Sequence, residues 1–136
     1  MRNGSGMLYY SNGLCYEGEF KDGYRHGYGI LKFNHIEIYN GDWVKDEIEG
    51  TGKIRNCAII NKRKSVNTSC LSKWISYNGE FKGSKFDGEG TLYLQGGEKF
   101  IGVFLGGNAC GEGTIFRKNG EMESGFWKNN ILMQEY

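Results

Sequence analysis

A tyrosine–glycine–aromatic signature returns at a fixed spacing along this chain, and that period constrains the fold more than any other feature. Tyr16-Glu17-Gly18-Glu19-Phe20 is followed 23 residues later by Tyr39-Asn40-Gly41-Asp42-Trp43. Tyr77-Asn78-Gly79-Glu80-Phe81 stands 38 residues further on, which is one period plus 15 inserted residues. Two more steps of 23 reach Phe100-Ile101-Gly102-Val103-Phe104 and Glu123-Ser124-Gly125-Phe126-Trp127. A G-x-G signature runs in phase, beginning at Gly4, Gly27, Gly50, Gly88 and Gly111. Together these columns hold 15 of the 23 glycines, and an apolar column (Leu8, Leu31, Ile54, Leu92, Ile115) follows them, a regularity chance does not give.

Each unit reads as one β-hairpin. In Tyr16 to Lys21 the apolar residues alternate with Glu17 and Glu19, the period of a half-buried strand. The return strand, Gly29 to Phe33, places Leu31 and Phe33 on one face. Between them lies the polar stretch Lys21-Asp22-Gly23-Tyr24-Arg25-His26, and Asn12-Gly13, Gly96-Gly97 and Asn119-Gly120 suit tight hairpin turns between units. Glycine weakens a strand, so the columns need a reason. Gly18 and its equivalents share a face with the flanking aromatics, leaving room for rings of neighbouring strands over the backbone. The glycines around residues 27 and 29 relieve a bend where the chain re-enters the sheet. Stacked, ten or eleven strands at roughly 4.8 Å each span about 50 Å. The fold expected is all-β, an elongated single-sheet solenoid of antiparallel hairpins.

The pattern Y-x-G-x-[FW]-x-x-G-x-x-x-G-x-G, complete from Tyr16 to Gly29 with His26 before its glycine, resembles the MORN (membrane occupation and recognition nexus) repeat. Later units depart from it: Glu49, Asp87 and Cys110 replace His26, and Glu123 replaces the first aromatic. The units fall at 16–38, 39–56, 77–99 and 100–122, with half repeats at 4–15 and 123–130, a basic insertion at 57–76 and an apolar C-terminal cap at 131–136, Ile131-Leu132-Met133 folding back over the last hairpin. The resemblance implies a twisted, grooved sheet that serves as a protein–protein scaffold, often cytoskeletal, ciliary or membrane-adjacent. The expected role is a small subunit of a larger assembly that holds a partner helix or extended segment. Its anchors would be exposed rings: Tyr16, Phe20, Tyr39, Trp43, Tyr77, Phe81, Phe100 and Phe104. The competing reading is that these rings pack only on each other. Open sheet edges also allow a homodimer.

Charge singles out the insertion. Lys53, Arg55, Lys62, Arg63, Lys64 and Lys73 lie between Gly50 and Gly79 with no acid, while both flanks carry an acidic excess. One reading is a docking element in which Lys62-Arg63-Lys64 meets an acidic protein surface or makes a weak anionic-lipid contact. The other is a solvated loop. Cys57-Ala58-Ile59-Ile60 and Leu71 to Ile75 extend the flanking strands in either case.

Enzyme chemistry is not expected. His26 is read as hydrogen-bonded within its own turn, His35 lies in an inter-repeat turn, and no carboxylate pair or phosphate-binding loop is indicated. Cys15, Cys57, Cys70 and Cys110 are scattered, so neither a metal site nor any cofactor is expected. With a net charge of +1 and aromatics interleaved with acids, nucleic-acid binding is not expected either. No apolar stretch marks a signal peptide near Met1, and a cytoplasmic setting is inferred.

Overall fold

The computed structural model describes residues 2–56 and 73–135. They form one open sheet of eleven strands: β1 Gly4–Tyr9, β2 Leu14–Lys21, β3 Tyr24–Phe33, β4 Ile36–Val44, β5 Glu47–Arg55, β6 Trp74–Lys82, β7 Lys85–Leu94, β8 Lys99–Leu105, β9 Asn108–Phe116, β10 Met122–Lys128 and β11 Ile131–Glu135. Strand order follows chain order, and every neighbour is antiparallel. This is the stacked-hairpin sheet that the period demands.

Register explains the glycines. Gly6, Gly18, Gly29, Gly41, Gly52, Gly79, Gly90, Gly102, Gly113 and Gly125 pair one with the next across ten strands, forming one continuous row perpendicular to them. In each of the four complete hairpins the ring lying over the glycine pair comes from that hairpin's own first strand, not from a neighbouring strand as the spacing suggested. Tyr16 runs along the backbone above Gly18 and Gly29, and Tyr39, Tyr77 and Phe100 repeat the arrangement. A Cβ at these glycines would collide with the ring.

Within each unit the turn is shorter, and the return strand longer, than the polar stretch implied. Asp22-Gly23, Lys45-Asp46, Gly83-Ser84, Gly106-Gly107 and Asn129-Asn130 all take positive φ at both positions, the signature of two-residue type I′ turns. The return strand therefore starts at Tyr24, and its surplus length is absorbed by a bulge opposite Glu19 at positive-φ Gly27. Of the links between units, Asn34-His35 is also a two-residue turn, with φ of 47° and 69°. Tyr10–Leu14, Leu94–Glu98 and Arg117–Glu121 instead close three-residue loops around positive-φ glycines.

One boundary differs from the sequence reading. The 131–136 tail does not fold over the last hairpin: Ile131–Glu135 pairs with β10 as an eleventh strand, because Asn129-Asn130 supplies the same turn as Asp22-Gly23. Leu132 packs against the core while Ile131 and Met133 stay 57% and 60% exposed. The 57–76 segment runs into β6, which takes in Trp74 and Ile75 as the strand extension expected there, and Trp74 joins the core. Asn56 donates to the Ile75 carbonyl at 2.8 Å, so β5 and β6 still pair directly.

Candidate interaction surface

One face of the sheet carries the rings. Phe20, Tyr16, Trp43, Tyr39, Phe81, Tyr77, Phe104, Phe100 and Trp127 form an unbroken chain with centroids 4.9 to 5.5 Å apart, each contact edge-to-face. Edge-to-face geometry sets the positive ring edge on the negative π-face of the next. Eight of these nine are the rings expected as exposed partner anchors, and they are 0–5% exposed. Their exposure is the point the structure corrects. With two aromatic side chains of each complete hairpin meeting those of its neighbours, the ladder covers itself, and Arg25 closes over Tyr16 and Trp43 at 6.0 and 4.5 Å. The chain of rings passes the insertion intact through Tyr39–Phe81.

Polar groups in this layer are satisfied. The Tyr16, Tyr39 and Tyr77 hydroxyls donate to the Glu19, Asp42 and Glu80 carbonyls at 2.7–2.8 Å. The Trp43 and Trp127 indole N–H groups donate to the carbonyls of row glycines Gly29 and Gly113, both at 3.1 Å. Burial pushes the Tyr16 phenol up to about 12, and it pushes Tyr39 and Tyr77 higher still. The unfolded chain, with phenols near their ordinary value of about 10, loses these protons first. Stability is therefore full below pH 10 and falls as pH rises through the range between the two values. Phenolate absorbance at 295 nm should rise for these three only together with loss of β-sheet dichroism. Full phenolate formation at pH 11 with the sheet intact would contradict this burial.

Two columns of acceptors lock three of the bulges and four of the turns. Glu19, Asp42 and Glu80 accept the backbone N–H of Tyr28, Thr51 and Glu89, each just past a positive-φ glycine, at 2.5 to 3.1 Å. The other column is the one that appeared irregular. Asn3, His26, Glu49 and Asp87 accept the N–H of the first turn residue of the next unit: Asp22, Lys45, Gly83 and Gly106. His26 thus bonds the following turn, not its own, and of its replacements Glu49 and Asp87 accept the equivalent donor. Beside each stitch, the second turn residue donates to the backbone of the preceding unit, as Asp46 does to Arg25 at 2.9 Å. His35 sits in the β3–β4 turn.

The opposite face is open. Three shallow cavities of about 690, 680 and 540 Å³ lie on it, each with row glycines in its floor. The first is lined by Tyr28, Asn40, Asp42, Thr51, Lys53 and Asn78 among others, the second by Glu89, Thr91, Ile101, Val103, Glu112 and Thr114, and the third by Met7, Glu17, Glu19, Tyr28 and Ile30. These residues flank the glycine row on both sides, so the cavities are segments of one groove running across the strands. Tyr28 and Ile101 stand in it 50% and 42% exposed. Sequence reasoning missed this face because it looked only like the polar side of an alternation.

The remaining sites are placed as follows. Lys62, Arg63 and Lys64, with Cys57-Ala58-Ile59-Ile60, Cys70 and Leu71, lie outside the described residues. Cys15 and Cys110 are half-buried free thiols. Among the described residues no three histidine, cysteine or carboxylate groups are placed to hold a metal, and every buried side-chain nitrogen or oxygen has a partner. A family model described as MORN repeat matches residues 1–15, 16–34, 39–55 and 77–99. The hairpins after residue 99 continue in the same register.

Proposed function

Because the chain belongs to the MORN repeat family, we propose that it is a non-enzymatic scaffold that holds a segment of a partner protein in the groove on the open face of its sheet. MORN repeats are typically protein- or membrane-interaction modules, and the family is generally non-catalytic. The observation that carries the choice of face is burial. The ring ladder is consumed in holding the hairpins together, whereas the opposite face keeps half-exposed Tyr28 and Ile101 beside cavities large enough for side chains. The setting we infer, a cytoskeletal or ciliary assembly, rests on the family resemblance alone. A membrane-surface role for Lys62-Arg63-Lys64 rests on the local charge excess of the sequence.

The test is affinity capture from native lysate with the wild type, with Tyr28→Ala/Ile101→Ala in the groove, and with Met133→Ala on β11. Circular dichroism first establishes that each is folded. A protein retained by the wild type and by Met133→Ala, and lost from the groove variant, is the expected result. Equal retention by all three would place the contact elsewhere.

A further inference from the structure

The groove has a charge of its own. The residues immediately before and after each row glycine line it, and among them stand Glu17, Glu19, Asp42, Glu80, Glu89 and Glu112 against Lys53 alone. A chain with net charge +1 thus concentrates six carboxylates and one ammonium along one line. Glu19, Asp42 and Glu80 are held by the backbone N–H groups they accept, which fixes their positions without removing their charge. Glu17 has one cationic neighbour, Lys32 at 3.2 Å, and both are substantially exposed, so the pair neutralises little. Two residues further along the strands the sign reverses. Lys21, Lys82, Lys85 and Lys128 stand at the turn ends of the same face with Glu47, and Lys32, Arg55 and Lys99 along the other margin with Glu37, seven cations against two acids. The face is therefore an acidic channel between basic rims.

Resting on the groove reading above, we propose that the occupant is a cationic polypeptide segment, extended or helical, laid across the strands with its lysines or arginines over the glycine row. Its apolar side chains contact Tyr28, Ile30, Ile101 and Val103, which interrupt the carboxylates. Extent decides between ligand classes. A single polypeptide laid along the glycine row meets the line of carboxylates beside it. A flat anionic membrane spread over the whole face would oppose those carboxylates as well as the rim lysines. Like charge opposed across an interface excludes wrong partners more sharply than attraction selects right ones. The carboxylate line thus selects for basic segments and against acidic ones.

Fluorescence anisotropy with two labelled synthetic peptides tests this, one alternating lysine with valine and leucine, the other carrying glutamate at each lysine position. The proteins are the wild type, a channel reversal (Glu17→Lys/Glu89→Lys) and a rim reversal (Lys82→Glu/Lys85→Glu), each verified as folded. We expect the cationic peptide to bind the wild type and the rim reversal, and to lose at least roughly tenfold in affinity on the channel reversal and between 50 and 300 mM salt. The glutamate peptide should not bind. Equal binding of both peptides, or cationic binding unchanged by the channel reversal, would overturn the proposal. So would binding to phosphatidylserine vesicles that only the rim reversal abolishes, which would mark the face as a membrane surface. If neither peptide binds while the Tyr28→Ala/Ile101→Ala variant still loses its lysate partner, the groove stands and its charge selectivity falls.

Discussion

Replacing Gly41 with alanine is expected to lower the protein's stability severely, enough to bring its urea midpoint far below that of the wild type. A Cβ at that position would stand 2.5 Å from the Gly52 Cα, 2.5 Å from the Tyr39 hydroxyl and 2.6 Å from the Thr51 carbonyl oxygen. Two of these atoms are backbone of the paired strand. The third is tied to the Asp42 carbonyl at 2.8 Å, on a ring wedged between Trp43 and Phe81. Nothing nearby can yield cheaply, so the cost should be roughly 3 kcal/mol or more. That is a large part of the stability a domain of this size has. Gly102→Ala should cost less, because its nearest atoms are 2.7–2.8 Å away and Phe100 has no hydroxyl to lose. Gly96, at φ +92° with nothing within 4 Å of its absent Cβ, should cost only about 1 kcal/mol for the left-handed backbone. Urea denaturation of the three variants checks the order. A Gly41→Ala protein as stable as Gly96→Ala would mean that the row is not close-packed.

Trp43→Ala is expected to be comparably damaging, costing about 3–5 kcal/mol. It removes edge-to-face contacts to Tyr16 and Tyr39, the bond to the Gly29 carbonyl and the surface on which Arg25 lies. It also cuts the ladder between the first and second complete units. Stability in a stacked array is a sum of neighbour terms, so the two sides should then unfold less cooperatively. Trp127→Ala, at the far end with Phe100 as its one ring neighbour, should cost less and leave the transition single. The two unfolding curves settle this, and equal losses would count against a ladder that transmits stability from unit to unit.

Much of this fold could be read from the chain because a hairpin array repeats its constraints. Gly18, Gly41, Gly79, Gly102 and Gly125 recur in phase, and phase is what places them in one row. What alternation could not tell was the fate of the ring face. Tyr16 and Phe20 alternate with Glu17 and Glu19 whether the rings face a partner or each other. Only the chain of ring contacts, continuous from Phe20 to Trp127, decides it. The same ambiguity hid the open face, whose acids read as ordinary solvent-facing residues. The substitutions of His26 looked like decay of the motif because side-chain identity was compared instead of hydrogen-bonding capacity. Asn3, His26, Glu49 and Asp87 share one capacity and one donor. The tail was misplaced although its signal was present: Asn129-Asn130 lies in the turn column, and a type I′ turn sends the chain back along its own edge.

Photo-crosslinking reads most directly whether the open face carries the partner. Benzoylphenylalanine is placed at Tyr28 in the groove and, in a second protein, at exposed Asn119 in the turn before β10. Each is irradiated with the captured partner. The expected result is a covalent adduct from position 28 and none from position 119. An adduct from position 119 alone, with the partner still bound and position 28 unreacted, would contradict the assignment of the groove as the binding surface.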